Sequence, residues 1–264
     1  GIWETYNCAD EGKVCQDGQC VLSSDADDAM GTTENETSTP PTSLDALILA
    51  TTINYPDAII SGAVAEKLGV PVLLSPPEAL PDDVAAFIAE EMPAKVILLG
   101  GTAVIGQAIE EKLNADGLET IRLWGITRFG TAAELALYAW EAGTDGAIVV
   151  SDRSEGAEGD EHTQLVMAKS LAAARTQPIL LTTNEELPAA TKEALEELGV
   201  QKVTLVGTQF SEDVFTALKE LDIEIEVVTG ETVEDVNDKL RDEVVDELTK
   251  NLPEGKLERL VVVA

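Results

Sequence analysis

Residues 47–75, LILATTINYPDAIISGAVAEKLGVPVLLS, contain an apolar run, a short polar loop, an alanine-rich segment and a second apolar run. Short apolar runs that alternate with longer helical stretches are typical of strand–helix–strand units, in which the strands pair in parallel. The chain repeats this alternation from residue 44 onward, which predicts an α/β fold built on parallel sheets. In the first unit we expect strands at 46–50, 71–74, 95–99 and 120–124. We expect the helices near 58–68, 81–92, 105–115 and 130–141.

The same series of segments then occurs a second time. VPVLLS at 70–75 is matched by QPILLT at 177–182, and AKVILLGGT at 94–102 is matched by QKVTLVGTQ at 201–209. Both offsets are 107 residues. Chance similarity between apolar runs would not preserve the spacing between them, so the shared offset indicates duplication of a whole unit.

The second unit differs from the first after its first strand. ALILA at 46–50 and AIVVS at 147–151 are 101 residues apart, so we expect a six-residue insertion within 152–164. We also expect a further strand near the end of the sequence, because RLVVVA has the character of a first strand. Residues 253–264 are therefore either the start of a third repeat, which would make the natural polypeptide longer, or a strand that completes an existing sheet.

The composition excludes some classes of partner. The chain has 264 residues, of which 50 are acidic and 17 basic, and its formal net charge is −33. This field repels phosphate backbones and anionic lipid, so we expect no nucleic-acid partner. The apolar runs are too short to cross a bilayer, so we expect no membrane insertion. Screening by salt, Ca²⁺ or Mg²⁺ would relieve the self-repulsion of the carboxylates.

The first 22 residues contain every cysteine of the chain. Cys8, Cys15 and Cys20 lie among glycine and aspartate residues, a pattern that predicts a small disulfide-containing knob and an oxidising, extracellular compartment. Loop length does not choose between pairing Cys15 or Cys8 with Cys20, and one sulfur is left over in either case. The chain begins without methionine, so we expect a processed protein or a fragment.

Residues 23–43, SSDADDAMGTTENETSTPPTS, contain almost nothing apolar to bury. This composition of serine, threonine, proline and acidic residues predicts an extended linker. Asn35 begins the sequence Asn-Glu-Thr, the one N-x-[ST] sequon of the chain. An exposed linker would tolerate a glycan, so the sequon predicts a glycosylation site at Asn35.

Three motifs in order carry a family resemblance. NYPDAIISGAVAEKLGVPVLLS at 54–75, VILLGGTAVI at 96–105 and GITRFGTAAELA at 125–136 resemble the cell wall-binding repeat 2 family, and the resemblance extends over about residues 44–250. It implies tandem Rossmann-like α/β repeats of an exported surface protein, held without covalent bonds to anionic wall polymers. Because the chain is so acidic, such a polymer would require a bridging cation. We divide the chain into five segments: knob 1–22, linker 23–43, repeat one 44–144, repeat two 145–252, and the terminal 253–264.

The resemblance implies that residues of the first repeat contact the ligand. They are Asn54, Asp57, Ser61, Gly101, Thr102 and Arg128. The residues themselves also allow simpler roles, in which Asp57 caps the helix that follows and Arg128 joins a salt bridge between repeats. In the second repeat an acidic insertion replaces the PDA loop, and Val233 stands in the place of Arg128. We therefore expect a ligand at the first repeat only.

Catalytic motifs are scarce. The chain has one histidine, His162, and no cysteine beyond residue 20, so Ser-His-Asp, Cys-His and His-rich zinc sites lack enough parts. GTAVIGQA has the glycine spacing of a phosphate loop but not its lysine. Three carboxylates of the insertion predict a metal site for Ca²⁺ or another divalent cation: Asp152, Glu155 and Asp160. The alternative is a solvated acidic loop.

We therefore expect a non-catalytic extracellular protein of the cell surface, without a cofactor other than such a cation. Two kinds of partner fit the repeats. One is a cell-envelope polymer, to which the tandem repeats attach. The other is a second copy of the chain, in a structural surface layer (S-layer) or an extracellular filament of glycoprotein subunits. An α/β enzyme is the third hypothesis.

Overall fold

The computed structural model describes residues 13–16, 19–22, 44–53, 55–152 and 161–250, with the backbone alone for the first two ranges and for residues 161 and 162. Contacts divide the chain into two compact units, Gly1–Thr42 and Ser43–Ala264. In the first unit, strands β1 (Lys13–Gln16) and β2 (Gln19–Leu22) form an antiparallel hairpin in which Cys15 is opposite Cys20. Cys8, Asn35 and the predicted strand within 253–264 lie outside the described residues.

The second unit contains the two predicted repeats, each with four strands and four helices in alternation. Repeat one comprises β3 (Ala46–Thr51), α1 (Tyr55–Leu68), β4 (Val72–Ser75), α2 (Asp82–Glu91), β5 (Lys95–Leu99), α3 (Gln107–Ala115), β6 (Glu119–Leu123) and α4 (Arg128–Ala139). Repeat two comprises β7 (Gly146–Ser151), α5 (Glu161–Arg175), β8 (Ile179–Thr182), α6 (Ala189–Glu197), β9 (Lys202–Gly207), α7 (Glu212–Glu220), β10 (Glu224–Thr229) and α8 (Val233–Thr249). The α/β class and the predicted elements are confirmed.

Both sheets are parallel and share one topology. The strand order is β4-β3-β5-β6 in repeat one and β8-β7-β9-β10 in repeat two. In each repeat the second strand of the chain therefore lies on one side of the first, and the third strand on the other. This reversal creates a crevice at the carboxyl ends of β3 and β5, and of β7 and β9, where ligands bind in open α/β sheets.

The strand register corrects the size of the predicted insertion. Ile48 pairs with Val72, and Ile148 pairs with Ile179, so the first strands are offset by 100 residues and the second strands by 107. The insertion is therefore seven residues long, not six. Two apolar runs can be aligned in either of two ways by residue type alone, whereas the hydrogen bonds of the ladder allow only one.

The two repeats share a core. One cluster of buried side chains joins one face of the first sheet and both faces of the second sheet to α1, α4, α5, α6, α7 and α8. A second cluster lies between the other face of the first sheet and α2 and α3. Helix α4 of repeat one packs on β8 and α6 of repeat two. For this reason β8 is buried throughout although it is an edge strand, whereas its counterpart β4 is partly exposed.

The helices of the two repeats end in the same way. Gly69, Gly117 and Gly199 follow the ends of helices, and each has a positive φ, between 67° and 89°. The equivalent positions of the other repeat also have positive φ but carry Thr176, Asp222 and Met92. The backbone of these turns is thus repeated even where glycine is not. In the part of the chain that the structure describes, no helix is long and apolar enough to cross a bilayer.

Candidate functional site

A pocket of about 240 Å³ lies at the crevice of the first sheet, where the strand order reverses between β3 and β5. Three segments surround it: the first turn of α1, the loop after β5, and the loop between β6 and α4. Its lining residues are Asp57, Gly100, Gly101, Ala103, Val104, Trp124, Gly125, Ile126, Thr127, Arg128 and Thr131. Each of the three family motifs therefore contributes to one place.

Arg122 holds the loop after β5 in place through hydrogen bonds to its backbone. Its Nη1 donates to the carbonyl oxygens of Gly100 and Ile105, at 2.8 and 3.0 Å. Its Nε and Nη2 donate to Glu110 Oε2, at 3.0 and 2.7 Å. Gly100 has φ of 105°, and a Cβ there would lie 2.4 Å from Cγ2 of Val104, so the position requires glycine. The loop is therefore a rigid wall of the pocket.

The loop between β6 and α4 depends on a close approach of two glycines. A Cβ on Gly125 would lie 2.5 Å from the Cα of Gly130, which only glycine permits. Thr127 caps α4 by accepting a hydrogen bond from the N–H of Gly130 at 3.3 Å. The hydroxyl of Thr131 accepts from the N–H of Gly125 at 3.1 Å. The sequence GITRFGT thus begins a helix and presents Arg128 at its first position.

Arg128 joins the two repeats. Its Nη1 donates to Oδ2 of Asp152, the residue after β7, at 2.7 Å. Burial lowers the pKa of Arg128, but the hydrogen bond and charge of Asp152 outweigh this effect, and the pKa lies above its ordinary value. The interpretation of Arg128 as a salt bridge between repeats is therefore confirmed, although the side chain also lines the pocket.

The structure brings together only part of the predicted ligand set. Asp57, Gly101 and Arg128 line the pocket, with Asp57 buried in the first turn of α1. Ser61 is fully buried behind it and donates to the carbonyl oxygen of Ala58 at 2.7 Å. Thr102 is exposed and does not line the pocket. Asn54 lies outside the described residues.

Two apolar side chains of the pocket were not predicted. Trp124 is 51% exposed and Ile126 is 96% exposed, although both are large hydrophobic residues. Both flank Gly125 in the loop before α4. No signal in the sequence identifies them, because the exposure of a side chain cannot be read from one isolated loop.

The loop after β9 differs from its counterpart in repeat one. The helix α7 begins 105 residues after α3, whereas β9 lies 107 residues after β5, so this loop is two residues shorter and Phe210 corresponds to the buried Ile105. A Cβ added to Gly207 would lie 2.5 Å from Cζ of Phe210 and 2.9 Å from Cβ of Ser151. Phe215 packs against this ring edge to face, with centroids 6.3 Å apart. Both phenylalanine side chains therefore pack against the shared core.

A second cavity, of about 380 Å³, lies at the opposite end of the second sheet. Arg175 crosses it and binds Glu243 and Glu247 at 2.9 and 3.2 Å, while Lys202 binds Glu226 at 3.0 Å. These pairs neutralise one another and hold α8 against α5 and the sheet, so the cavity is bordered by a structural ion-pair network.

The predicted metal site is only partly described. Asp152 is engaged by Arg128, while Glu155 and Asp160 lie outside the described residues. Among the residues that the structure describes, no group of three or more His, Cys, Asp or Glu side chains could hold a metal ion. The metal site therefore stays a prediction.

Comparisons with known proteins agree with this arrangement. The family model of cell wall binding domain 2 matches residues 22–110 and 122–213. The chain belongs to this family. A family relative is an uncharacterized protein of Pyrococcus abyssi, 25% identical over 181 residues, which cover 67% of this chain and 52% of the relative. The chain thus spans about half the length of the curated relatives it matches.

Two solved structures share the fold of these family repeats. Cwp8 from Clostridium difficile superposes with a TM-score of 0.60 and 28% identity, covering 74% of this chain and 33% of Cwp8. Cwp6 from the same organism superposes with a TM-score of 0.66 and 18% identity, covering 75% of this chain and 31% of Cwp6. The tandem repeat architecture of this chain is therefore that of the cell wall binding domain 2 family.

Proposed function

We propose that the chain attaches a protein to a polymer of the cell envelope, and that the pocket of repeat one is the attachment site. Membership of the cell wall binding domain 2 family supports the class of ligand. The likeness to Cwp8 from Clostridium difficile supports a location at the cell surface. On this proposal the tandem repeats bind without catalysing a reaction.

One observation carries the choice of site. The pocket of repeat one is lined by Asp57, Gly101 and Arg128, one from each stretch that carries the family resemblance. In repeat two Thr208 stands in the place of Gly101 and Val233 in the place of Arg128, although the two repeats share one topology. The lining supports a ligand at repeat one, and its replacement supports a structural role for repeat two.

The chain itself supplies the test. Ala103→Phe places a bulky ring in the first repeat's pocket, where it should fill the crevice while the fold persists. Thr102→Phe is the matched control, because Thr102 is exposed and does not line the pocket. Purified envelope polymer should retain the wild type and Thr102→Phe on sedimentation, and should retain Ala103→Phe about tenfold less well or worse.

Two results would count against the proposal. If Ala103→Phe binds as well as Thr102→Phe, the pocket is not the site. If no envelope polymer retains the wild type at any concentration of salt or Ca²⁺, attachment itself is wrong. Circular dichroism of both variants would show that the fold is kept.

The absence of catalysis is part of the same proposal. Among the described residues that line the pocket, the titratable side chains are Asp57 and Arg128, and Arg128 is paired with Asp152. A single carboxylate beside a neutralised arginine offers neither a nucleophile with its base nor a carboxylate pair. An enzyme would lose turnover in Asp57→Asn with its folding intact.

Self-assembly into a surface layer or filament is the second candidate. A disulfide between two of the three cysteines would leave one sulfur for contact with another chain. Mass spectrometry of the unreduced native protein would test this pairing and the glycan at Asn35. Electron microscopy of native material would show whether ordered polymers form.

A further inference from the structure

We infer that the pocket of repeat one takes an uncharged sugar unit, which stacks on Trp124, rather than an anionic group. This inference rests on the proposed attachment to an envelope polymer and specifies which chemical feature of the polymer is recognised. It depends on the placement of Trp124, on the apolar side chains around it, and on the state of the arginines at this edge of the sheet.

Trp124 is held as a platform. Its benzene ring lies against Gly101, since a Cβ added there would be 3.4 Å from Cε3 and 3.9 Å from Cζ3 of the indole. The rest of the side chain is open, and Trp124 is 51% exposed. A tryptophan packed on backbone and half exposed beside a pocket loses little conformational entropy when a ligand covers it. The face of a pyranose that carries C–H groups complements the negative face of an indole ring.

Exposed apolar side chains concentrate at the same edge. Nine large hydrophobic residues are exposed among the residues that the structure describes, and four of them lie in the loops that follow β3 and β6 or at the first residue of α1. They are Ile53, Tyr55, Trp124 and Ile126. Such clustering beside a pocket, with a few polar groups, is the usual composition of a site for a largely uncharged ligand.

The arginines at this edge are already neutralised. Arg128 lies 2.7 Å from Asp152, and Arg122 lies 2.7 Å from Glu110. The remaining charged residue of the lining is Asp57, so the pocket with its ion pairs carries a negative balance. An anionic ligand would meet this carboxylate as well as the field of a chain with net charge −33. A neutral sugar meets no such repulsion, and its hydroxyl groups can donate to a carboxylate.

The experiment separates neutral from anionic glycan. Envelope glycan is fractionated by anion exchange, and each fraction is titrated into the full chain at 0.1 and 1 M NaCl while tryptophan fluorescence and sedimentation are recorded. We expect the neutral fraction to bind, to change the fluorescence, and to keep its affinity within about twofold between the two salt concentrations. Trp124→Ala should weaken binding about tenfold or more, whereas Trp124→Phe should retain most of it.

Met92→Ala is the matched control, because Met92 is 55% exposed and lies outside the pocket. Binding of the anionic fraction alone, with affinity that falls steeply in salt, would overturn the inference. Equal binding by Trp124→Ala and Met92→Ala would overturn it as well. If Ala103→Phe abolishes binding but Trp124→Ala does not, the attachment site stands and the neutral sugar platform is wrong. If the wild type binds neither fraction, the attachment proposal itself fails.

Discussion

Removal of the ion pair between Arg128 and Asp152 tests how the two repeats are held together. The Nη1 and Oδ2 atoms lie 2.7 Å apart, and the side chains are 28% and 6% exposed. At an effective dielectric constant of about 20, Coulomb's law gives an attraction of roughly 6 kcal/mol. The desolvation of the two charges offsets most of this attraction, so the net coupling free energy is about 2 kcal/mol.

The two single variants should differ. Arg128→Met leaves the carboxylate of Asp152 buried without its cation, and this should lower the free energy of unfolding by about 3–5 kcal/mol. Asp152→Asn leaves Arg128 without its anion, but the guanidinium is more exposed and can be hydrated, so we expect a loss of about 1–2 kcal/mol. The double variant should be no less stable than Arg128→Met.

Urea unfolding followed by circular dichroism measures these free energies, because the shared core predicts one cooperative transition. Lys112 and Asp116 form the control cycle. Their Nζ and Oδ2 atoms are also 2.7 Å apart, but the side chains are 60% and 54% exposed. This pair should couple by only about 0.3–0.5 kcal/mol. A coupling of Arg128 with Asp152 no larger than that of the control would refute the role of burial in joining the repeats.

Three further predictions concern stability. Arg122→Met removes the donor to two loop carbonyl oxygens and should lower the free energy of unfolding in urea by about 2–4 kcal/mol. An unchanged urea midpoint would show that other contacts hold the loop. Thr176 has φ of 53°, a backbone conformation that is strained for threonine, so Thr176→Gly should raise the free energy of unfolding by about 0.5–1 kcal/mol in urea. A lower free energy of unfolding in this variant would contradict the presence of strain at Thr176. Glu226 has a pKa below its ordinary value, because the hydrogen bond with Lys202 and the charge of Arg175 outweigh burial. This stabilisation is present above the ordinary glutamate pKa of about 4.3 and is lost as the pH falls through the folded value, so Lys202→Met should flatten the acid limb of a stability–pH curve.

The fold could be predicted because its signals are local and repeated. The central strands β3, β5, β7 and β9 are buried on both faces, so they appear in the sequence as nearly continuous apolar runs. Because the unit is duplicated, the sequence pattern of each strand and helix can be recognised twice. The one misplacement, at β7, arose where two apolar runs can slide by one residue without a change in character.

The site was less accessible to prediction. Asp57, Gly101 and Arg128 were found because the family motifs mark them, but Ser61 supports α1 from within and Thr102 turns to solvent. Trp124 was missed, since nothing in the order of residues states that it lies against Gly101. Contacts between separate loops are set by the twist and order of the strands, which a linear pattern does not contain.

The two repeats differ at the end of their first strands. In repeat one the position after β3 is Thr52, and the pocket opens beside it; in repeat two the same position is Asp152, which reaches back to Arg128. One wall of the pocket is therefore held by the neighbouring repeat. A ligand that requires Arg128 in this position binds only when the repeats are docked, and by linkage it must stabilise their docking to the same extent. On the proposed function, the second repeat contributes to binding by completing the pocket of the first.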